Sequence, residues 1–327
     1  MINFVSIFTK QLEEALKIGV EANLKFTHTQ IENVVISGLG GSGIGGKIAS
    51  QLVENKLNIP IIVNNAYSIP NFVNENSLVI ISSYSGNTEE TLYAMKEAIK
   101  RNAEIACVTS GGEILALAEA NNINHIVVPG GNPPRAMLTY SLVQLFFILK
   151  NCNLIGDSFL SDIKKSINLL NSEIEEIKTE AKNIASKIEN SIPIIYTDST
   201  YEGVGTRFKQ QLNENAKIMA FNHVIPEMNH NELVGWAGGS EKYSVLFLRN
   251  DSDFQRNQVR IESSKKIISK YTKNIIEVYS KGNSEIEKTL YLILITDWIS
   301  VYLADIYKVD SIEVNVITGL KNELSKH

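Results

Sequence analysis

Cysteine is nearly absent from this sequence: Cys107 and Cys152 stand alone, in neither a metal-ligand nor a CxxC spacing. That pattern offers no disulfide framework and fits a reducing compartment. A surplus of positive charge is missing too. The net charge of −5 gives no general attraction to nucleic acid or to an anionic membrane, so an anionic ligand must be held by local groups. The opening Met1-Ile2-Asn3-Phe4-Val5 lacks the basic n-region of a signal peptide. Uninterrupted hydrophobic runs are also lacking, since residues 142–149 are too few to span a bilayer and Asp297 breaks residues 290–303. The expectation is a cytoplasmic protein. What remains is ordinary globular material: 327 residues, 44% hydrophobic and 20% charged, with room for two domains.

The stretch Val34-Val35-Ile36-Ser37-Gly38-Leu39-Gly40-Gly41-Ser42-Gly43-Ile44-Gly45-Gly46 reads as a buried strand entering a glycine-dense turn and then a helix. Three ligands compete for it. Gly38, Gly40 and Gly43 satisfy the dinucleotide spacing G-x-G-x-x-G, but the acid expected after the second strand is replaced by Asn64-Asn65-Ala66. Residues 41–47 nearly spell a P-loop, yet Ile48 stands where a magnesium-binding hydroxyl belongs. The third reading is one wall of a site for a smaller phosphorylated molecule.

Short apolar strands alternate with helices along the chain. Strands are expected at residues 34–37, 59–63, 78–82, 105–109 and 125–128, with helices at 6–28, 45–55, 89–101, 114–121 and 139–150. A long helix over residues 158–190 alternates acidic and basic residues, as a solvated face does. The alternation then resumes, with strands at 192–197, 216–221, 244–248 and 275–279 and helices at 202–214, 253–271, 284–306 and 316–325. The pattern predicts an α/β fold of doubly wound parallel sheets, with a boundary near residue 152 that has no Pro/Gly-rich linker. Ligands of such sheets gather at the carboxyl ends of the strands.

At one of those ends lies Ser82-Ser83-Tyr84-Ser85-Gly86-Asn87-Thr88. Hydroxyls and a glycine are packed onto a helix N-terminus, where free amides and the macrodipole favour an anion. Hydroxyls can satisfy phosphate oxygens without any Lys or Arg. The plainer alternative is an N-cap, Asn87 with Glu90 three residues on. If phosphate binds here, Glu89 and Glu90 should point away.

The pairing of Gly40-Gly41-Ser42-Gly43 with Ser83-Tyr84-Ser85-Gly86-Asn87-Thr88 resembles the SIS (sugar isomerase) domain. More narrowly, the chain resembles the bifunctional phosphoglucose/phosphomannose isomerases. The likeness extends through Pro133-Pro134-Arg135, Asn213-Glu214-Asn215-Ala216-Lys217, Pro226-Glu227-Met228-Asn229-His230-Asn231-Glu232 and Leu320-Lys321. It implies two SIS-type subdomains, residues 1–152 binding phosphate and sugar and residues 153–327 carrying the catalytic Glu and His. It further implies a homodimer, with each active site between subdomains and completed by the partner chain. Carried over by position, Gly41, Ser42, Ser83, Ser85 and Thr88 hold the substrate, the last three its phosphate. Arg135 stabilises an enediolate, Glu214 is the base, and His230 with Lys321 handles ring opening.

The residue types suit that chemistry. Moving a proton between C1 and C2 of an open-chain sugar needs a base, and a carboxylate serves if burial raises its pKa. Histidine titrates near neutrality and suits ring opening, while an always-charged arginine faces the developing oxyanion. No cofactor is required. Each residue also has a duller reading: Glu214 pairing with Lys217 along a helix, His230 and Arg135 as ordinary surface or core groups, Lys321 as frayed surface. His223, Glu227 and His230 have a spacing that could line a helix with metal ligands, but Pro226 interrupts it. No metal site is expected. The expected activity is interconversion of glucose 6-phosphate and mannose 6-phosphate with fructose 6-phosphate. The alternatives are a non-catalytic sugar-phosphate sensor, for which no basic helix-turn-helix stretch is evident, or an isomerase of another sugar phosphate.

Overall fold

The structure is a computed structural model that describes residues 1–26 and 30–326. The chain opens with α1 (Ile2–Ser6) and α2 (Phe8–Glu21). It then alternates through β1 (Asn33–Ser37), α3 (Gly40–Val53), β2 (Ile61–Asn64), β3 (Ser77–Ser83), α4 (Glu89–Lys100), β4 (Glu104–Thr109), α5 (Gly112–Ala120), β5 (Asn124–Val127) and α6 (Leu138–Asn151). After α7 (Ser158–Lys187) come β6 (Ile192–Asp198), α8 (Glu202–Ala216), β7 (Phe221–Ile225), α9 (Glu232–Gly235), β8 (Tyr243–Arg249), α10 (Gln255–Ile268), β9 (Ile275–Tyr279), α11 (Glu285–Tyr307) and α12 (Asn315–Leu324). Two compact units result. One comprises Ser6–Glu173 and Lys281–Tyr291; the other comprises Met1–Val5, Ile174–Ser280 and the chain from Leu292 onward. The chain passes between them four times: inside α1, α7 and α11, and once between β9 and α11.

The first unit holds a five-stranded parallel sheet in the order β2-β1-β3-β4-β5. Its central strands are buried on both faces, which is why residues 78–81 read as an unbroken apolar run. Val35, Val79, Ile81 and Cys107 face Leu92, Met95 and Ile114 of α4 and α5. The opposite face meets α3, where Gly46 lies so close that a Cβ would stand 2.8 Å from Ile36 Cγ2. The expected helix start at residue 45 was five residues late, because glycine is a poor helix former in isolation. Packing overrides that propensity: Gly45 and Gly46 give α3 its close approach to α6 and β1. Helix α2 ends at Glu21, short of the expected residue 28, and residues 27–29, His28 among them, lie outside the described residues.

The second unit repeats the layout with four parallel strands, β7-β6-β8-β9. Tyr196, Val245, Phe247, Ile261 and Ile268 form the core between the sheet and α10. On the other side, Arg207 of α8 meets Asp297 of α11 at 2.7 Å, both buried. Helix α11 is long and apolar enough to cross a membrane, but 83% of its most apolar window is buried inside the protein. The strand expected at residues 216–221 is displaced: Ala216 still belongs to α8, Lys217 ends that helix in the left-handed conformation, and β7 begins at Phe221.

Candidate active site

The glycine turn after β1 is tight for internal reasons. A Cβ on Gly38 would stand 2.7 Å from the Ser82 carbonyl oxygen, and one on Gly43 would stand 2.5 Å from the Gly38 oxygen. Asn65 closes the turn by donating from Nδ2 to the Gly38 oxygen at 2.5 Å. The residue standing where a dinucleotide fold wants an acid therefore clamps the loop. Ser42 falls in the first turn of α3, and its Oγ accepts the main-chain N–H of Tyr84 at 3.1 Å. The Ser42 hydroxyl proton is left to donate. Gly41 backs onto the 3-10 turn Pro134–Ala136, where a Cβ would come 3.2 Å from the Pro134 oxygen. Arg135, in that turn, is buried.

The hydroxyl-rich turn after β3 is organised before any ligand arrives. Ser83 Oγ donates to Thr88 Oγ1 at 3.0 Å, and Ser85 Oγ accepts the Asn87 N–H at 3.3 Å. Gly86 sits at φ 68°, and a Cβ there would stand 1.7 Å from the Gly111 oxygen, so only glycine fits. The helix cap is Thr88, not Asn87 as in the plainer alternative, and Thr88 makes no side-chain cap bond. Asn87 Oδ1 instead accepts the N–H of Glu113 at the start of α5. Among the described residues, the amides of Glu89, Glu90 and Thr91 have no acceptor; the first helical bond runs from Leu92 N–H to the Thr88 oxygen. Those free amides are the anion-binding part of a helix N-terminus. Glu89 is drawn off by Tyr67, whose hydroxyl donates to its Oε2 at 3.1 Å. Gly41, Ser42, Ser83, Ser85, Thr88 and Arg135 thus share the carboxyl edge of the first sheet, where β1, β3 and β5 hand over to the turns that follow.

The second unit carries the other three candidates. Glu214 lies half-buried in the last turn of α8. Lys217 Nζ donates to the main-chain oxygens of Glu214 at 2.5 Å and Glu313 at 2.7 Å, tying the end of α8 to the segment before α12. Lys321 is exposed on α12, a helix with no buried residue. His230 is exposed at the end of the 3-10 turn Glu227–His230, and its ring makes no hydrogen bond or ion pair among the described residues. Its neighbours are held firmly. Asn229 Nδ2 donates to Ser264 Oγ at 2.8 Å, and Asn231 Oδ1 accepts the Glu232 N–H at 2.6 Å. Glu232 Oε1 accepts from the Tyr196 hydroxyl at 2.5 Å, and its Oε2 lies 3.2 Å from His223 Nδ1. Burial, with Glu232 beside it, pushes the Tyr196 hydroxyl pKa up. This Tyr196–Glu232–His223 anchor was not foreseen from sequence, although Glu232 stood inside the motif with His230. His223 is on a strand and His230 on a 3-10 turn, so the helical metal spacing does not form, and no group of three or more His, Cys, Asp or Glu among the described residues could hold a metal ion.

One pair does not meet. In a β-α-β unit of a parallel sheet the helix runs back against the strands, so the end of α8 lies at the edge where β7 begins. His230 follows the far end of β7. Residues Glu202 to Ala216 return by ~20 Å at the helical rise, so within one chain Glu214 and His230 occupy opposite edges of the sheet.

The comparisons with known proteins cover the same ground. The SIS domain family matches residues 29–149, and the family described as bacterial phospho-glucose isomerase C-terminal SIS domain matches residues 177–324. A bifunctional phosphoglucose/phosphomannose isomerase from Caldicellulosiruptor bescii is 36% identical over 99% of both chains. The chain belongs to the bifunctional phosphoglucose/phosphomannose isomerase family. A second member, from Aquifex aeolicus, is 37% identical over 91% of this chain and 92% of its own. The fold also matches the C-terminal domain of glucosamine-fructose-6-phosphate aminotransferase from Francisella tularensis, with a TM-score of 0.76 at 15% identity over 96% of this chain and 97% of that one. The two parallel sheets of this chain are thus two SIS domains in tandem.

Proposed function

We propose that the protein interconverts glucose 6-phosphate and mannose 6-phosphate with fructose 6-phosphate in the cytoplasm, as a homodimer. The observation that carries this reading is the hydroxyl cradle at residues 83–88, with the unsatisfied amides of α4 behind it. A phosphate monoester supplies acceptor oxygens for those donors, and the names of the full-length relatives are those of isomerases of such sugars.

In this mechanism Ser83, Ser85 and Thr88 hold the phosphate, and Ser42 and the Gly41 main chain border the sugar. His230 and Lys321 move protons on and off the ring oxygen and O1 to open the pyranose. Glu214 takes the proton from C2 of the aldose and returns it to C1, giving the ketose. Arg135 neutralises the negative charge that gathers on the enediolate oxygen between the two transfers. The residues 1–152 serve binding and residues 153–327 the proton transfers. The opposed positions of Glu214 and His230 support a site that takes one of them from a second chain.

The test is an assay of wild type and Glu214→Gln with glucose 6-phosphate and mannose 6-phosphate, coupled to detection of fructose 6-phosphate. Wild type turns over both sugars, and the substitution lowers kcat by about 10²–10⁴. Turnover of neither sugar by wild type refutes the function. Full activity in Glu214→Gln refutes the base.

A further inference from the structure

Tyr84 occupies the middle of the phosphate cradle, and every polar group it owns is engaged. Its main-chain N–H donates to Ser42 Oγ at 3.1 Å. Its main-chain oxygen accepts from the Ser110 N–H at 2.9 Å and the Ser110 Oγ at 2.6 Å. Its phenol hydroxyl donates to the Pro129 carbonyl at 2.8 Å and accepts the Asn132 N–H at 3.3 Å. The side chain is buried, and burial raises the pKa of the phenol, so it remains a protonated donor. One residue therefore joins the turn after β3 to the turns after β1, β4 and β5.

The last of these connections leads directly to Arg135. Asn132 is followed by Pro133 and Pro134, whose rings fix φ, and N–H groups of Ala136 and Met137 close the turn onto the Pro133 and Pro134 oxygens. Gly41 grips the same turn from its other side, where a Cβ would stand 3.4 Å from the Arg135 Cα. A stiff segment held at both ends transmits displacement rather than absorbing it.

We infer that Tyr84 is a positioning residue for Arg135: its hydroxyl straps residues 129–132 to the cradle, fixing the distance between the bound phosphate and the guanidinium. This rests on the isomerase reading, and it assigns the tyrosine a part in the chemical step rather than in phosphate binding.

Tyr84→Phe removes the strap alone, leaving the ring and the main-chain bonds to Ser42 and Ser110 in place. The cradle is then intact, so KM for fructose 6-phosphate changes by less than about threefold, while kcat falls by about tenfold or more. If Tyr84 acts through Arg135, the double variant with Arg135→Met is no slower than Arg135→Met alone. Amide hydrogen exchange at residues 129–137 accelerates in Tyr84→Phe, while the strands β1, β3 and β4 keep their protection. Rate losses that multiply in the double variant, a kcat within about twofold of wild type, or unchanged exchange at 129–137 would each overturn the inference. Should wild type isomerise neither sugar phosphate, the function fails independently, and the exchange measurement alone decides whether the strap holds the Arg135 turn.

Discussion

Glu214 and His230 stand at opposite edges of the second parallel sheet, separated by the full return of α8. If Glu214 is the base and His230 opens the ring, as proposed, the two cannot serve one sugar from within one chain. Complementation tests this. Glu214→Gln and His230→Ala proteins are each inactive alone. Mixed after subunit exchange, half of the dimers are hybrids with one intact site of two, so about a quarter of wild-type activity returns. If the mixture stays at the level of its components, the shared site is wrong.

Under the proposed function the cradle hydroxyls contribute to ground-state binding. Ser83→Ala and Thr88→Val each delete one partner of the 3.0 Å hydroxyl pair, which leaves the Thr88 hydroxyl proton as the one available to phosphate. Each is expected to raise KM by about tenfold, the scale of 1–1.5 kcal/mol per hydrogen bond, with a smaller change in kcat. Steady-state kinetics with fructose 6-phosphate separate the two parameters. A loss confined to kcat would place the phosphate elsewhere.

Asp297 is held by Arg207 Nη2 at 2.7 Å and by Gln211 Nε2 at 2.9 Å. Asp297→Ala removes the carboxylate that faces the buried Arg207 guanidinium and should destabilise the fold by about 3–5 kcal/mol. Urea denaturation measures this. A loss under about 1 kcal/mol would mean that Arg207 re-pairs elsewhere.

Asp253 gives a pH-dependent signature. Burial raises its pKa, the Asn250 N–H and side-chain amide oppose the shift, and nearby Asp198 adds to it. A folded-state pKa above the unfolded value means that folding favours the protonated carboxyl. That contribution is present below the unfolded pKa and is lost as pH rises through the folded pKa. Asp253→Asn should therefore be more stable than wild type at neutral pH, with the difference shrinking as pH falls through the carboxylate range. Thermal melts across that range check it, and a difference that grows on acidification contradicts the assignment.

Both sheets were legible because their strands are short, apolar and β-branched, and the helices between them carry clear periodicity. The errors arose where backbone geometry outweighed residue type. α3 begins at Gly40 because close packing tolerates glycines that propensity alone would exclude from a helix. β7 begins at Phe221 because Lys217 adopts φ 59°, a conformation that nothing in its side chain announces. Among the candidate site residues, Ser83 and Thr88 could be paired by their position at a helix start. Tyr84 could not be assigned partners, since they lie 26 to 48 residues away in the chain, and neither could the Tyr196 hydroxyl be paired with Glu232, 36 residues on.

The absence of cationic side chains from the cradle sets how the protein meets its ligand. No lysine or arginine occurs in residues 57–95, and the whole chain carries −5, so a sugar phosphate approaching this turn meets no full positive charge, only the short-range pull of the α4 amides and dipole. Under the proposed function, capture relies on short-range donors that act only near contact. Association should accordingly be slow relative to electrostatically guided encounters and should quicken or hold steady as salt is added, the reverse of a lysine-lined phosphate site.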